Sequence, residues 1–133
     1  MTRLWLYIPR YRWMVTIYYG ATRADAEEVM GHLLMLGVSG EDALHSWLNL
    51  TDGMPDEGIT FSAGRRSVVV IGEASSTAEY ANTIDHELNH LKEHIADGVG
   101  IDLRGEEIAY LRGELSRDTH HVNQKYICSC DNG

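Results

Sequence analysis

Cysteine is scarce in this sequence. The only two cysteines, Cys128 and Cys130, are separated by a single residue, a spacing that is poor for a mutual disulfide and that closes no long loop. The sequence therefore excludes a small domain stapled by disulfides. A reducing cytoplasm fits this pattern best.

Long apolar runs are also missing. No stretch approaches the roughly 20 consecutive apolar residues that cross a bilayer. Residues 1–20 carry arginines throughout and contain no clean apolar run followed by a small-residue cleavage site. We therefore expect no membrane span, no membrane partner and no secretory signal.

Basic residues are in the minority. The sequence has 11 Lys and Arg and 20 Asp and Glu, which gives a formal net charge of -9. This balance opposes attraction to nucleic acid, which requires clustered basic residues. Arg3, Arg10 and Arg12 lie among aromatic residues near the start of the chain, and we interpret them as solvated side chains of a terminal strand. The sequence predicts no nucleic-acid partner.

The chain of 133 residues, 44% of them apolar, is expected to form one α+β domain over residues 1–133, with a polar tail over about 116–133. It has no repeat and no linker that would divide it. Three segments rich in β-branched or aromatic residues predict a small mixed or antiparallel sheet packed on helices. These segments are Trp13–Tyr19, Ile59–Ser62 and Ser67–Gly72.

Four helices are predicted from capping residues and from apolar residues at helical spacing. The third is the clearest, because Ser76-Thr77-Ala78-Glu79 has the capping-box pattern and an apolar stripe follows it. Gly98 and Gly100 should end this helix and let the chain reverse. The predicted helices run from Arg23 to Gly37, from Gly40 to about Leu48, from Ser76 to about Asp97, and roughly over Leu103–Leu115.

The pentapeptide His86-Glu87-Leu88-Asn89-His90 lies inside this third helix. Histidines at i and i+4 project from one helix face, so that two imidazoles can bind one metal ion. The glutamate between them can instead reach a water whose pKa zinc lowers to about 7, and it can accept a proton from that water. The motif predicts a zinc site at His86 and His90, with Glu87 as general base.

A hydrolytic zinc site needs a third protein ligand. His94 lies about 12 Å along the helix from His86, so we interpret it as a partly exposed helix histidine. His120 and His121 are candidates in an unpatterned tail. Glu106 and Glu107 could face the metal if the last helix folds back across the third.

The stretch His86–Leu115, with its HELNH motif, its glycine turn and Glu106-Glu107-Ile108-Ala109-Tyr110-Leu111, resembles the gluzincin metallopeptidases. It is similar to small metallopeptidase-like proteins encoded by phages and mobile elements of gut bacteria. The resemblance implies a minimal zincin-like fold in a bacterial cytoplasm. It also implies Glu106 as third ligand, because Glu106 stands three residues before Ala109, and it leaves Glu107 as a neighbour.

Further roles are weaker predictions. Tyr110 lies one turn beyond Glu106 and could stabilise an oxyanion, or it could simply pack between helices. Asn82, one turn before His86, could orient a ligand or cap the cleft, although a simply solvated side chain is the more common case. By resemblance, one of the two hairpin strands would present its backbone to an extended peptide, which makes a protein or peptide the expected substrate.

The end of the chain suggests two minor possibilities. A thiolate of Cys128 or Cys130 could fill the open zinc position and hold the enzyme latent. Alternatively, these cysteines and His120 and His121 could form a second metal site, although such residues are usually only part of a tail.

Three functions compete at this point. The first is a zinc-dependent peptidase, and the second is a catalytically silent zinc-binding accessory module of a phage or mobile element that acts through protein contacts. The third is a purely structural zinc domain. Structural sites tend to be closed and rich in cysteine, whereas this motif leaves a position open and keeps Glu87. The sequence therefore favours the enzyme.

Overall fold

The computed structural model describes residues 1–51 and 57–127. They form a four-stranded sheet in the order β1-β2-β4-β3, in which β1 and β3 pair antiparallel with their neighbours and the central β2 and β4 are parallel. The α+β class with a small mixed sheet is confirmed. The strands are β1 (Thr2–Ile8), β2 (Trp13–Ala21), β3 (Gly58–Ala63) and β4 (Arg66–Gly72).

In the described part of the chain, four α-helices flank the sheet: α1 (Ala26–Leu36), α2 (Gly40–Thr51), α3 (Thr77–Val99) and α4 (Glu106–Ile127). One face of the central strands packs in a cluster with α3 and α4, and the other packs with α1 and α2. Because both faces of β2 and β4 are covered, these strands are apolar almost throughout rather than alternating. No helix within the described ranges is long and apolar enough to cross a bilayer.

The hairpin between β3 and β4 turns through Gly64 and Arg65, both with positive φ (57° and 65°). Two consecutive residues of this kind form the tight turn that matches the twist of paired strands. The predicted four-residue connection is therefore shorter in the structure, and both strands gain a residue at the turn.

Helix α3 begins as predicted, because the Ser76 side chain accepts a hydrogen bond from the Glu79 backbone N–H at 3.1 Å. It ends with Gly100 in the left-handed conformation. The terminal strand expected around the early arginines is present as β1, but it contains only Arg3, because Arg10 and Arg12 lie in the turn that follows it. Arg3 and Arg10 are ion-paired with Glu28 and Glu114 respectively.

The predicted end of the last helix is wrong. Helix α4 starts at Glu106 and continues to Ile127, through twelve residues that the sequence suggested were an irregular tail. Thr119, Val122 and Asn123 are buried there, and the Tyr19 hydroxyl donates to Asn123 Oδ1 at 2.6 Å. Two of these three buried residues, Thr119 and Asn123, are polar, and their polarity concealed the helical stripe. Cys128 and Cys130 lie outside the described residues.

Candidate metal centre

His86 and His90 lie one turn apart on α3, and their Nε2 atoms are 3.0 Å apart. Two nitrogens bound to one tetrahedral zinc ion at about 2.0–2.1 Å lie roughly 3.3 Å from each other. The observed separation is close to that value. Glu93 Oε2 lies 4.0 Å from His90 Nδ1, on the side of the ring away from His86. The two rings therefore present the nitrogens that a metal ion would need.

Glu87 completes the cluster. One carboxylate oxygen of Glu87 and one ring nitrogen from each of His86 and His90 all lie within 4.8 Å of one another. Glu87 is only 3% exposed, whereas both histidines are open to solvent to a greater degree. Burial raises the pKa of Glu87, and the nearby histidines oppose that rise. A carboxyl with a raised pKa is better suited to accept and return a proton near neutral pH.

Strand β3 holds the Glu87 side chain in place. The Thr60 hydroxyl lies 3.3 Å from Glu87 Oε2 and 3.4 Å from the Glu87 backbone oxygen. A Cβ atom added at Gly58 would lie 2.6 Å from Glu87 Cγ and 2.9 Å from its Cδ. Glycine at this position therefore leaves the space that the Glu87 side chain occupies.

Two adjoining cavities open beside the cluster. The first, of about 430 Å³, and the second, of about 450 Å³, share lining residues from α2, β3 and α3. The shared residues are His45, Asn49, Gly58, His86 and Glu87. The candidate site therefore lies in an open groove between α2 and α3, with β3 along it. Asn82 lines the first cavity, which agrees with its predicted position beside His86.

The structure does not bring Glu106 to the two histidines. Glu106 is exposed and, together with Tyr110, lines a different cavity beside Arg10 and Arg117. Tyr110 is 72% exposed, so it does not lie where an oxyanion beside His86 would form. Glu107 accepts a hydrogen bond from the Tyr11 hydroxyl at 2.7 Å.

The packing of α4 on α3 explains this placement. Arg112 of α4 donates from Nε to Asn89 Oδ1 at 3.0 Å and from its second terminal nitrogen to Asp85. Glu106 lies six residues before Arg112, which is about 9 Å along the helix. The chain does reverse after Gly100 as predicted. However, the part of α4 that lies beside the histidines is the part around Arg112, well after Glu106.

His94 lies at the edge of the second cavity and is bound to the sheet. A chain of hydrogen bonds joins Trp13 Nε1 to Ser67 Oγ (2.8 Å), Ser67 Oγ to Ser62 Oγ (2.6 Å), and Ser62 Oγ to His94 Nδ1 (2.7 Å). The indole can only donate. If the Ser67 hydroxyl donates to Ser62 and the Ser62 hydroxyl donates to His94, then His94 Nδ1 is the acceptor and His94 Nε2 carries the ring hydrogen. His94 is half-buried, and its burial lowers its pKa.

Other candidates lie elsewhere. His120 and His121 are exposed on the later turns of α4. The residues of the groove that the sequence did not single out are Gly58, Thr60 and His45. These residues are recognised only by their position around the groove beside Glu87. No local pattern in the sequence predicts that position.

Comparisons with protein-family models, with curated proteins and with solved structures give no match for this chain. The geometry of the groove and the chemistry of its side chains therefore indicate what the protein can do.

Proposed function

We propose that this protein is a zinc-dependent peptidase, with His86 and His90 as metal ligands and Glu87 as general base. The observation that carries the proposal is the cluster of two ring nitrogens and one buried carboxylate oxygen within 4.8 Å, open to a groove. An exposed structural zinc site would gain nothing from a buried glutamate that does not coordinate the metal. The open groove and Glu87 together favour hydrolysis.

A zinc ion in this site would supply Lewis acidity toward water and toward a substrate carbonyl. Glu87 takes the proton from the attacking water and later returns it to the leaving amine. Thr60 keeps the Glu87 carboxylate in place through its hydroxyl. Because Glu87 is buried and its pKa is raised, the protonated form between these two transfers is less costly than it would be for an exposed carboxyl.

Peptides are the proposed substrate class. Within the described part of the chain, β3 pairs with β4 alone and forms an edge of the sheet. The β3 residues Gly58, Ile59 and Thr60 line the second cavity beside the histidines. An extended peptide can pair with the backbone of an exposed strand edge. Of the two hairpin strands, β3 is therefore the one suited to bind substrate, because β4 is paired on both sides.

Zinc content tests the metal site directly. We expect mass spectrometry to find about one zinc per chain in wild-type protein purified without added metal, and much less in His86→Ala. His120→Ala, which removes an exposed histidine from α4, serves as the matched control and should retain the wild-type content. A wild-type protein that binds no zinc, even after incubation with it, would overturn the proposed function. A zinc-loaded protein would then be screened against a peptide library.

Gly58→Ala should lower hydrolysis by about 10²-fold without loss of zinc. The added methyl group would lie 2.6 Å from Glu87 Cγ, so the Glu87 carboxylate must move, and displacement of a reacting group by about 1 Å can cost this much. The measurement is kcat/KM on a cleaved peptide, with zinc content in parallel. Gly113→Ala on α4, where a Cβ meets nothing within 4 Å, should leave kcat/KM unchanged. Equal activity in the two variants would contradict the assigned position of Glu87.

A further inference from the structure

The two histidines of α3 leave the proposed zinc site one protein ligand short, since a hydrolytic zinc ion usually has three. The following inference rests on the proposed function. Four further side chains with metal-binding atoms line the two cavities of the groove, and none of them comes from α4. They are Asp42, His45, Glu57 and His94.

Three of these four fit poorly. His94 directs its Nδ1 to Ser62 Oγ at 2.7 Å, so that one of its two ring nitrogens already contacts β3. It also lies one turn beyond His90, away from His86. Glu57 lines only the first cavity, which His90 does not line, and Asp42 lines only the second. Glu57 therefore shares no cavity with His90, and Asp42 shares only one cavity with His86 and Glu87.

His45 differs, because it lines both cavities together with His86 and Glu87. It lies on α2, across the groove from α3. Asn49, one turn later on α2, has its Nδ2 atom 3.4 Å from His45 Nε2. Both side chains therefore lie on the face of α2 that borders the groove.

We infer that His45 is the third protein ligand of the zinc site, so that α2 rather than α4 completes it. In the structure His45 is exposed and is not among the atoms grouped within 4.8 Å. Zinc binding therefore draws the His45 ring and α2 toward α3. Helix α2 packs chiefly on α1 and is anchored through Leu50 in the cluster on that face of the sheet, whereas His45 lies on its exposed side toward the groove.

Zinc binding through His45 would also change the dynamics of α2, and this effect can be measured without any hydrolysis. A bond from His45 to a metal ion held by α3 would connect α2, residues 40–51, to α3. Addition of zinc should therefore slow amide hydrogen exchange along α2. The same addition should leave exchange in α2 unchanged in His45→Ala.

The decisive experiment measures the zinc dissociation constant by competition with a chromophoric chelator. We expect His45→Ala to weaken binding by at least about 100-fold, because loss of a direct ligand should cost no less than the 10–100-fold typical of outer-shell changes. Glu106→Ala and the control His120→Ala should bind zinc as wild type does. Wild-type affinity in His45→Ala, with weakened binding in Glu106→Ala, would overturn the inference and leave the proposed function intact.

A second variant distinguishes the loss of a metal ligand from a defect in folding. His45→Cys, made in a Cys128→Ser and Cys130→Ser background and loaded with Co²⁺, should show a thiolate-to-cobalt charge-transfer band that the background protein lacks. Absence of that band in a variant that binds Co²⁺ would overturn the assignment of His45. Failure of the wild-type protein to bind any metal would overturn the proposed function itself, and the inference with it.

Discussion

Glu87→Gln is expected to lower the rate of peptide hydrolysis by about 10²–10⁴-fold, the usual contribution of a general base, while zinc content stays at the wild-type value. Glutamine has nearly the same shape as glutamate, so it fits the space left by Gly58 and can still accept the Thr60 hydroxyl hydrogen bond. It cannot take a proton from water. The loss should therefore appear in kcat, because neither ligand histidine is changed.

The measurement combines kcat and KM on a peptide from the library with zinc content by mass spectrometry. Glu27→Gln, which changes an exposed glutamate at the start of α1, is the control for removal of one negative charge and should keep full activity. Full activity in Glu87→Gln would exclude Glu87 as the base. A biological effect that survives in an inactive Glu87→Gln protein would instead support the accessory module that acts through contacts.

Leu91→Ala is expected to lower the free energy of unfolding by about 2–5 kcal/mol. Leu91 is fully buried on α3 and lies in the cluster that joins α3, α4 and the sheet. Removal of its side chain leaves a cavity that these rigid elements can fill only in part. Since small domains are stable by about 5–15 kcal/mol, this single change would remove a large part of the total.

Urea denaturation monitored by tryptophan fluorescence gives the free energy of unfolding for this comparison. Leu103→Ala is the matched control, because Leu103 is 60% exposed and its replacement should change the free energy by no more than about 0.5 kcal/mol. A loss below about 1 kcal/mol in Leu91→Ala would contradict the central position assigned to Leu91.

The parts of the fold that were predicted correctly are those that local chemistry determines. Ser76 and Glu79 mark the start of α3, and the glycines after it mark the reversal. The end of α4 was missed because Thr119 and Asn123, which are buried and hydrogen-bonded to each other, look like loop residues in the sequence. Asn123 also accepts a hydrogen bond from the Tyr19 hydroxyl, which is 104 residues away in the chain.

The candidate site was likewise predicted only in part. His86, Glu87 and His90 belong to one helical turn, so their spacing alone predicted the cluster. A third ligand for the proposed zinc ion cannot be found by spacing, since it depends on which helix borders the groove. The contacts of Arg112 with Asp85 and Asn89 set how α4 lies along α3, and that register places Glu106 away from the histidines.

The parallel pair at the centre of the sheet has a consequence for how the chain reaches its native state. Met14 of β2 lies opposite Arg66 of β4, and α1, α2 and β3 all belong to the connection between these strands. A long segment must therefore be closed before the central ladder can form, and such non-local pairing slows folding. Helix α3, which follows β4 directly and carries His86, Glu87 and His90, can form its own hydrogen bonds much earlier. The turn that holds these three residues can thus exist before the groove around it does.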